Sequence, residues 1–398
     1  MTNRELFLSH LAQTSDAPLA LEIVRAEGSK LYDVNGREYI DLIGGISVCN
    51  VGHRHPKVID AIKKQLDDYL HIMVYGELVQ SPQVQYAKLL TEHLPPSLNS
   101  VFFTASGTEA TEGAMKLAKR YLNRTQIISF KNSYHGSTQG ALSVMGSEYW
   151  QQAYRPLLPD VLQLNYNSFE DLENVSERTA CVIAETIQAE AGVIVPADDW
   201  LKALRKKCYA TGTLLVLDEI QCGFGRNGTL WAFEQFHVVP DILLLGKALG
   251  GGMPLGAFIA DKKLMNVLSH DPVLGHINTF GGHPVCCAAG KAAFKVLLEE
   301  KMIDEVRKKE ELFVSLLNTQ TIRHCGLMMA LEFKDFEENK KVIDALLDPS
   351  IDDGPLVFTD WFLFAANCLR IVPPLSISEE EIRMACKKIN DAIRRISN

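Results

Sequence analysis

The sequence predicts an α/β protein, with a mainly parallel seven-stranded sheet in a large domain and a smaller α+β C-terminal domain. Three observations carry this expectation. Short, branched apolar runs without polar alternation recur at 101–104, 127–130, 161–164, 181–184, 214–217, 242–245 and 257–260, as strands buried on both faces should. Mostly helical stretches separate them, as crossovers between parallel strands require. Beyond His283 the rhythm changes to long helices at 284–300 and 302–318, strand-like segments at 328–333 and 369–372, and a final helix from Glu379.

Taken in order, residues 1–45 contain a short helical start and a hairpin. Its two strands, 30–34 and 38–42, flank the turn signal Asn35-Gly36. After the loop GGISVCNVGHRHP, helices are expected at 56–70, with Val58, Ile59, Ile62 and Leu66 on one face, and at 82–93. The alternating region follows. The boundaries read as an N-terminal segment, 1–45, packing with the small domain, a large domain at 46–283 and a small domain at 284–398. No internal repeat or long linker separates them.

The totals narrow the function. The net charge is 40 − 49 = −9, which argues against a protein that grips a nucleic-acid backbone. Nine cysteines without regular spacing and no CxxC pair suggest reduced thiols in the cytoplasm rather than a disulfide framework or a zinc site. No apolar run approaches the ~20 residues of a membrane span. The start, MTNRELFLSHLAQ, lacks the pattern of a secretory signal.

The chemistry concentrates in 214–252, LLVLDEIQCGFGRNGTLWAFEQFHVVPDILLLGKALGGG. Asp218 and Glu219 close one expected strand, and Lys247 follows another. Open α/β sheets hold ligands at such strand ends, so an acid and an amine are expected in one crevice. Apolar neighbours there lower an ammonium pKa towards the range of a covalent amine catalyst. Ser106 with Glu109 fits a capping box, and the same helix start can place a phosphate on Gly107 and Thr108. Tyr134 and His135 follow a strand, where an aromatic either stacks on a planar ligand or serves the core. Glu185 and Glu190 lie just past another strand, as flanking charges or as partners of a cation. Gly223, Gly225 and Gly228 spell GxGxxG, but no helix is expected to start within that motif, and Asp218 and Glu219 would repel a pyrophosphate. A glycine-rich loop is the better reading.

Together, SGTEA (106–110), YHG (134–136), DEIQ with GFGR (218–226), LGKALGGG (245–252), TFGGHP (279–284) and LRIVPPL (369–375) resemble the class III pyridoxal-phosphate aminotransferases. That group includes the ornithine, acetylornithine and 4-aminobutyrate enzymes. The resemblance implies fold type I and an active site at a homodimer interface. By position, it implies that Lys247 carries pyridoxal 5'-phosphate covalently and Asp218 pairs with the pyridine nitrogen. Gln221 would lie near the ring oxygen and Tyr134 would stack on the ring, with His135 and Glu185 beside the cofactor. Ser106, Gly107 and Thr108 would bind the phosphate, joined by Thr279 of a second copy. Arg370 would take the substrate α-carboxylate, Glu190 would mask that arginine when an ω-amino donor binds, and Ile46 would touch substrate.

Four positions depart from the family pattern: Ser137 stands where many members carry arginine, Thr186 replaces a usual proline, Ala189 a usual glycine and His283 a usual asparagine. The expected activity is transfer of an amino group from an ω-amino acid or amine to 2-oxoglutarate. The donor is expected to be acetylornithine- or ornithine-like first and 4-aminobutyrate second. The alternatives are a β-amino acid aminotransferase, a 2,1-aminomutase, which needs no oxo-acid acceptor, and a non-catalytic regulator. Partners are then a small amino donor and a 2-oxo acid, with no nucleic acid, membrane or metal.

Overall fold

The chain begins with a helix, Asn3–His10, followed by three antiparallel strands, β1 (Ile23–Glu27), β2 (Lys30–Asp33) and β3 (Glu38–Asp41). The expected hairpin is β2–β3, and Gly36 supplies the positive φ of +80° that its turn needs. The computed structural model describes residues 1–317, 321–350 and 354–397.

All seven apolar runs form strands: β4 (Ser100–Thr104), β5 (Gln126–Phe130), β6 (Val161–Leu164), β7 (Thr179–Glu185), β8 (Leu214–Asp218), β9 (Ile242–Leu245) and β10 (Gly256–Ala260). They make one sheet in the order β4-β10-β9-β8-β7-β5-β6. The five strands from β9 to β6 pair in parallel, and β10 runs antiparallel to both its neighbours. Alternate side chains feed two cores. Val182, Ala184, Leu215, Leu217, Leu243 and Leu245 pack on one face, while Cys181, Ile183, Val216, Ile242 and Leu244 pack on the other. Helix Gly107–Leu122 covers the second face with Ala110, Ala114, Met115 and Leu117. Helices Trp200–Thr211 and Pro284–Glu299 cover the first. Burial on both faces explains why these strands read as unbroken apolar runs.

A smaller sheet holds β11 (Thr321–His324), β12 (Met329–Glu332), β14 (Trp361–Phe362) and β15 (Ala365–Ile371), all antiparallel, in the order β11-β12-β15-β14. β13 (Leu356–Phe358) instead pairs in parallel with β3, joining the N-terminal hairpin. Helices Pro56–Asp68, Ser81–Thr91 and Glu379–Ser397 lie where expected. The helix expected at 302–318 is shorter, Val306–Leu316, because turns occupy 301–305; residue 318 lies outside the described residues.

The GxGxxG stretch is a buried loop. A Cβ on Gly223 would meet the Glu219 carbonyl oxygen at 2.8 Å, and no regular helix starts before Ala232. Its Arg226 is fully buried and donates to the carbonyl oxygens of Leu327 (3.0 Å) and Pro373 (2.5 Å) and to Asn50 Oδ1 (2.5 Å). It thereby bonds the loop to Asn50, just past the N-terminal segment, and to the residues that flank β12 and β15. No described helix is long and apolar enough to cross a membrane.

Candidate active site

Strands β5, β7 and β8 are parallel neighbours, so the residues just past their carboxyl ends gather on one side of the sheet. A cavity of about 510 Å³ lies there. Its walls include Lys247, Asp218, Gln221, Glu185, Tyr134, His135, Gly107 and Thr108, all singled out from the sequence. Gly136, Ser137, Thr138, Ile187, Ile220 and Cys222 complete it.

Lys247 follows β9 through Gly246, where an added Cβ would stand 3.3 Å from the Cα of Gly107. The lysine itself has φ +46°, a strained backbone for a side-chain-bearing residue. Its Nζ donates to Gln221 Oε1. Burial lowers its ammonium pKa and Arg370 adds to that, while Glu190, Asp218 and Glu185 pull the other way.

Asp218 is 4% exposed and has both oxygens engaged. Oδ1 accepts from Ile220 N at 2.9 Å, and Oδ2 lies 2.7 Å from His135 Nδ1. An ionised carboxylate only accepts, so the ring donates there. His135 Nε2 and Gln221 Nε2 are buried without a protein partner. Glu185 sits opposite Asp218 in the β7–β8 register and accepts from Tyr134 N (3.0 Å) and Ala189 N (2.9 Å). Burial, reinforced by Asp218 and opposed by His135, pushes its carboxyl up to about 7.

Glu219 does not share this crevice, against the expectation that both acids of β8's end would. The period-two alternation of a strand turns it to the opposite face. It accepts there from Thr186 Oγ1 (2.9 Å), Ala232 N (2.7 Å) and Phe233 N (2.6 Å), a structural acid with burial raising its pKa to about 7.

At the far end, Ser106 caps helix Gly107–Leu122, accepting from Glu109 N at 3.4 Å. The capping box is displaced by one residue, since Glu109 Oε2 accepts from Ala105 N rather than from the cap. Gly107 and Thr108 thus present a helix N-terminus to the cavity while Ser106 supports it. Thr138 and Glu112 carried no signal in the sequence, and Gly136 entered there only as part of the YHG motif. Thr138 Oγ1 bonds Thr108 Oγ1 (2.7 Å) and Glu112 Oε1 (2.6 Å), fastening the Tyr134 loop across the helix start. A Cβ on Gly136 would fall 2.2 Å from Thr108 Oγ1.

Arg370, on β15, is 3% exposed and donates through Nη1 and Nη2 to Glu190 at 2.8 and 2.9 Å. Burial pushes the Glu190 carboxyl up, but Arg370 and then Lys247 hold it below the usual range. Asp360, also unremarked in the sequence, has Oδ1 2.8 Å from Arg370 Nε. Tyr134 Oη reaches Ser137 Oγ at 3.1 Å. Five expected residues are not part of the cavity wall of this single chain: Ser106, which caps the helix behind it, Glu190 and Arg370, which pair with each other, Ile46, in a turn at φ +62° and 37% exposed, and Thr279, on an exposed bend.

The chain matches the class-III aminotransferase family over residues 11–393. It is 38% identical to the acetylornithine aminotransferase of Methanopyrus kandleri over 393 residues, 97% of each chain. It is also 38% identical to the [LysW]-aminoadipate semialdehyde/glutamate semialdehyde transaminase of Sulfurisphaera tokodaii, over 79% of this chain and 82% of that one. Its fold is similar to that of ornithine aminotransferase from Toxoplasma gondii, whose active site holds PLP at partial occupancy. The TM-score is 0.90 at 28% identity, covering 99% of this chain and 93% of that one. The cavity suits pyridoxal 5'-phosphate. A helix start opened by two glycine contacts faces one end, a buried acid lies deep within, and an amine of lowered pKa stands among the unpartnered side-chain nitrogens of His135 and Gln221. On the family match and these geometries, the chain belongs to the class-III aminotransferases and is a pyridoxal-phosphate-dependent enzyme.

Proposed function

We propose that this aminotransferase moves the amino group of an ω-amino acid or amine, ornithine- or acetylornithine-like, to 2-oxoglutarate. The observation that carries this reading is the Glu190–Arg370 pair. A guanidinium fork of the right geometry for a carboxylate is covered by an acid on a separate loop. With the pair closed, a donor lacking an α-carboxylate near its reacting amine meets no exposed cation. With it open, Arg370 receives the carboxylate of a 2-oxo acid.

In this reading Lys247 carries the cofactor, Gly107 and Thr108 take its phosphate over the Ser106 cap, and Tyr134 lies against the ring. Asp218, braced by His135 and Ile220 N, meets the ring nitrogen, while Gln221 and Glu185 border the ring. Pyridoxal phosphate, when bound, supplies an electron-withdrawing ring that stabilises negative charge on the substrate carbon. The protein does the rest. Once the substrate's amine has displaced it from the cofactor, the free Lys247 Nζ, whose ammonium form burial destabilises, would take the proton from the substrate carbon and return it.

The names of the M. kandleri and T. gondii relatives support the donor class. Ser137 gives a distal carboxylate no cation, so 4-aminobutyrate should be a poorer donor than ornithine-like amines. Thr279 completes the phosphate site from a second copy. Its segment carries exposed Ile277 and Phe280; Phe280 lies 5.2 Å from the His71 ring, and Ile277 shares an apolar groove with Tyr75. A panel of ornithine, acetylornithine, 4-aminobutyrate, β-alanine and simple diamines, followed by conversion of the cofactor to its amine form, tests the reading. Turnover without any oxo-acid acceptor would favour a mutase instead, and 4-aminobutyrate as the best donor would refute the specificity.

A further inference from the structure

The hairpin from Thr359 to Ala365 grips both members of the Glu190–Arg370 pair. Thr359 Oγ1 donates to the Arg370 carbonyl at 2.6 Å, and Arg370 N donates to the Asp360 carbonyl at 2.9 Å. The Trp361 carbonyl accepts from Nη2 at 2.7 Å, and the Phe362 ring lies 4.6 Å from the guanidinium carbon. Leu363 N and Phe364 N each donate to Glu190 at 3.0 Å, to Oε2 and to the carbonyl oxygen. Within this grip Asp360 Oδ1 sits 2.8 Å from Nε, close enough for an ion pair but not aligned as a hydrogen bond, and neither atom has another partner. One guanidinium therefore faces two carboxylates, a sum of +1 − 2 = −1, with Arg370 and Glu190 buried and the Asp360 side chain 33% exposed.

We infer that Asp360 is a positioning residue that sets substrate class by offsetting the charge Arg370 shows to an incoming carboxylate. The inference rests on the reading of Arg370 as the carboxylate site. The two acids hold different edges of the guanidinium: Glu190 takes Nη1 and Nη2, Asp360 takes Nε. A substrate carboxylate that displaces Glu190 leaves Asp360 in place, so it meets a pair of net charge zero instead of a full cation. A donor that presents an amine with no carboxylate here leaves both acids seated, and the net negative wall favours its positive charge. The site is thereby biased towards ω-amines and diamines over α-amino acids that bind through Arg370.

Titration gives the inference a second handle. Burial raises the Asp360 carboxyl to about 6, with Glu190 and Asp41 adding to the rise and Arg370 opposing it. Above that value the offset is complete. As pH falls through it, Asp360 takes up a proton, the offset fades, and carboxylate affinity rises.

The test uses holoenzyme and glutarate, a dicarboxylate that cannot react, with binding measured by calorimetry between pH 8 and pH 6. This range keeps the ligand's own carboxyls charged, as ordinary carboxyls titrate near ~4.3. Asp360→Asn should tighten glutarate binding by about tenfold at pH 8, the scale of one nearby charge on another. Wild type should bind glutarate several-fold more tightly at pH 6 than at pH 8, and the variant should lose most of that slope. Glu185 titrates near 7 in both proteins, so the comparison isolates Asp360. Asp360→Glu should restore the wild-type behaviour. Equal affinities and equal pH slopes in wild type and Asp360→Asn would overturn the inference. If Asp360→Asn fails to fold, a flat wild-type pH profile does the same. Parallel half-reactions keep the two readings apart. Failure of every ω-amine donor would refute the proposed function, while binding of glutarate would still judge Asp360.

Discussion

Replacing Arg370 by alanine separates the roles of the buried pair, because it affects chemistry and folding with different signatures. Arg370 makes two charge-assisted hydrogen bonds to Glu190, at 2.8 and 2.9 Å, between side chains 4% and 9% exposed. Each hydrogen bond to a charged group contributes about 1.5–3 kcal/mol. A 2-oxo acid must displace Glu190 to make its own bonds, so the net loss is set at about one such contribution; with about 1.4 kcal/mol per tenfold, kcat/KM for 2-oxoglutarate should fall about ten- to hundredfold. The ω-amine half-reaction, which leaves Glu190 on Arg370, should suffer less. Folding stability should fall by about 3–5 kcal/mol near neutral pH, since Glu190 stays buried without its cation.

The pH dependence fixes the sign. In the wild type the Glu190 pKa lies below 4.5, so its contribution is present above that value and lost as pH falls through the lowered pKa. Without Arg370, burial is left as the dominant influence and raises the pKa. The variant is then least penalised in acid and loses stability as pH rises past about 4.5. Stopped-flow absorbance of the two half-reactions and urea unfolding at pH 5 and pH 8 measure these effects. Equal damage to both half-reactions, or a stability penalty the same at both pH values, would refute the reasoning.

Other outcomes are equally specific. Borohydride treatment of the yellow holoenzyme should fix the pyridoxyl group on Lys247, and labelling of any other lysine would displace that assignment. Asp218→Asn should keep the acceptor for Ile220 N but remove the charge beside His135, lowering transamination by several powers of ten with little loss of fold; near wild-type turnover would exclude the role given to Asp218. Gly136→Ala, whose Cβ would lie 2.2 Å from Thr108 Oγ1 at φ +126°, should loosen cofactor retention in equilibrium dialysis, and unchanged retention would show that the Tyr134 loop does not depend on that contact. Sedimentation should find a dimer, and a monomer with full activity at high dilution would contradict the role of Thr279.

The seven strands of the large sheet were legible because burial on both faces demands unbroken apolar runs, and 214–217 and 242–245 contain nothing else. The ends of those runs also named the reactive pair, since Asp218 and Lys247 are the first polar groups past strands that must stop at one edge of the sheet. Local sequence further gave the Asn35-Gly36 turn and the Ser106 cap, where the controlling contacts span only a few residues.

Tertiary structure decided what depends on partners far along the chain. Asp218 and Glu219 are adjacent acids with no local difference; only the fold sends one towards His135, 83 residues away, and the other to the backbone of Ala232 and Phe233. Glu190 and Arg370 lie 180 residues apart, so their bond follows from how β15 and the loop after β7 meet. Asp360 had no sequence signal at all, because an aspartate before a short hairpin is an ordinary turn residue until Arg370 is placed beside it. Strand patterns record burial, which each segment carries alone, whereas charge pairing is a property of two segments and exists only once the chain has folded.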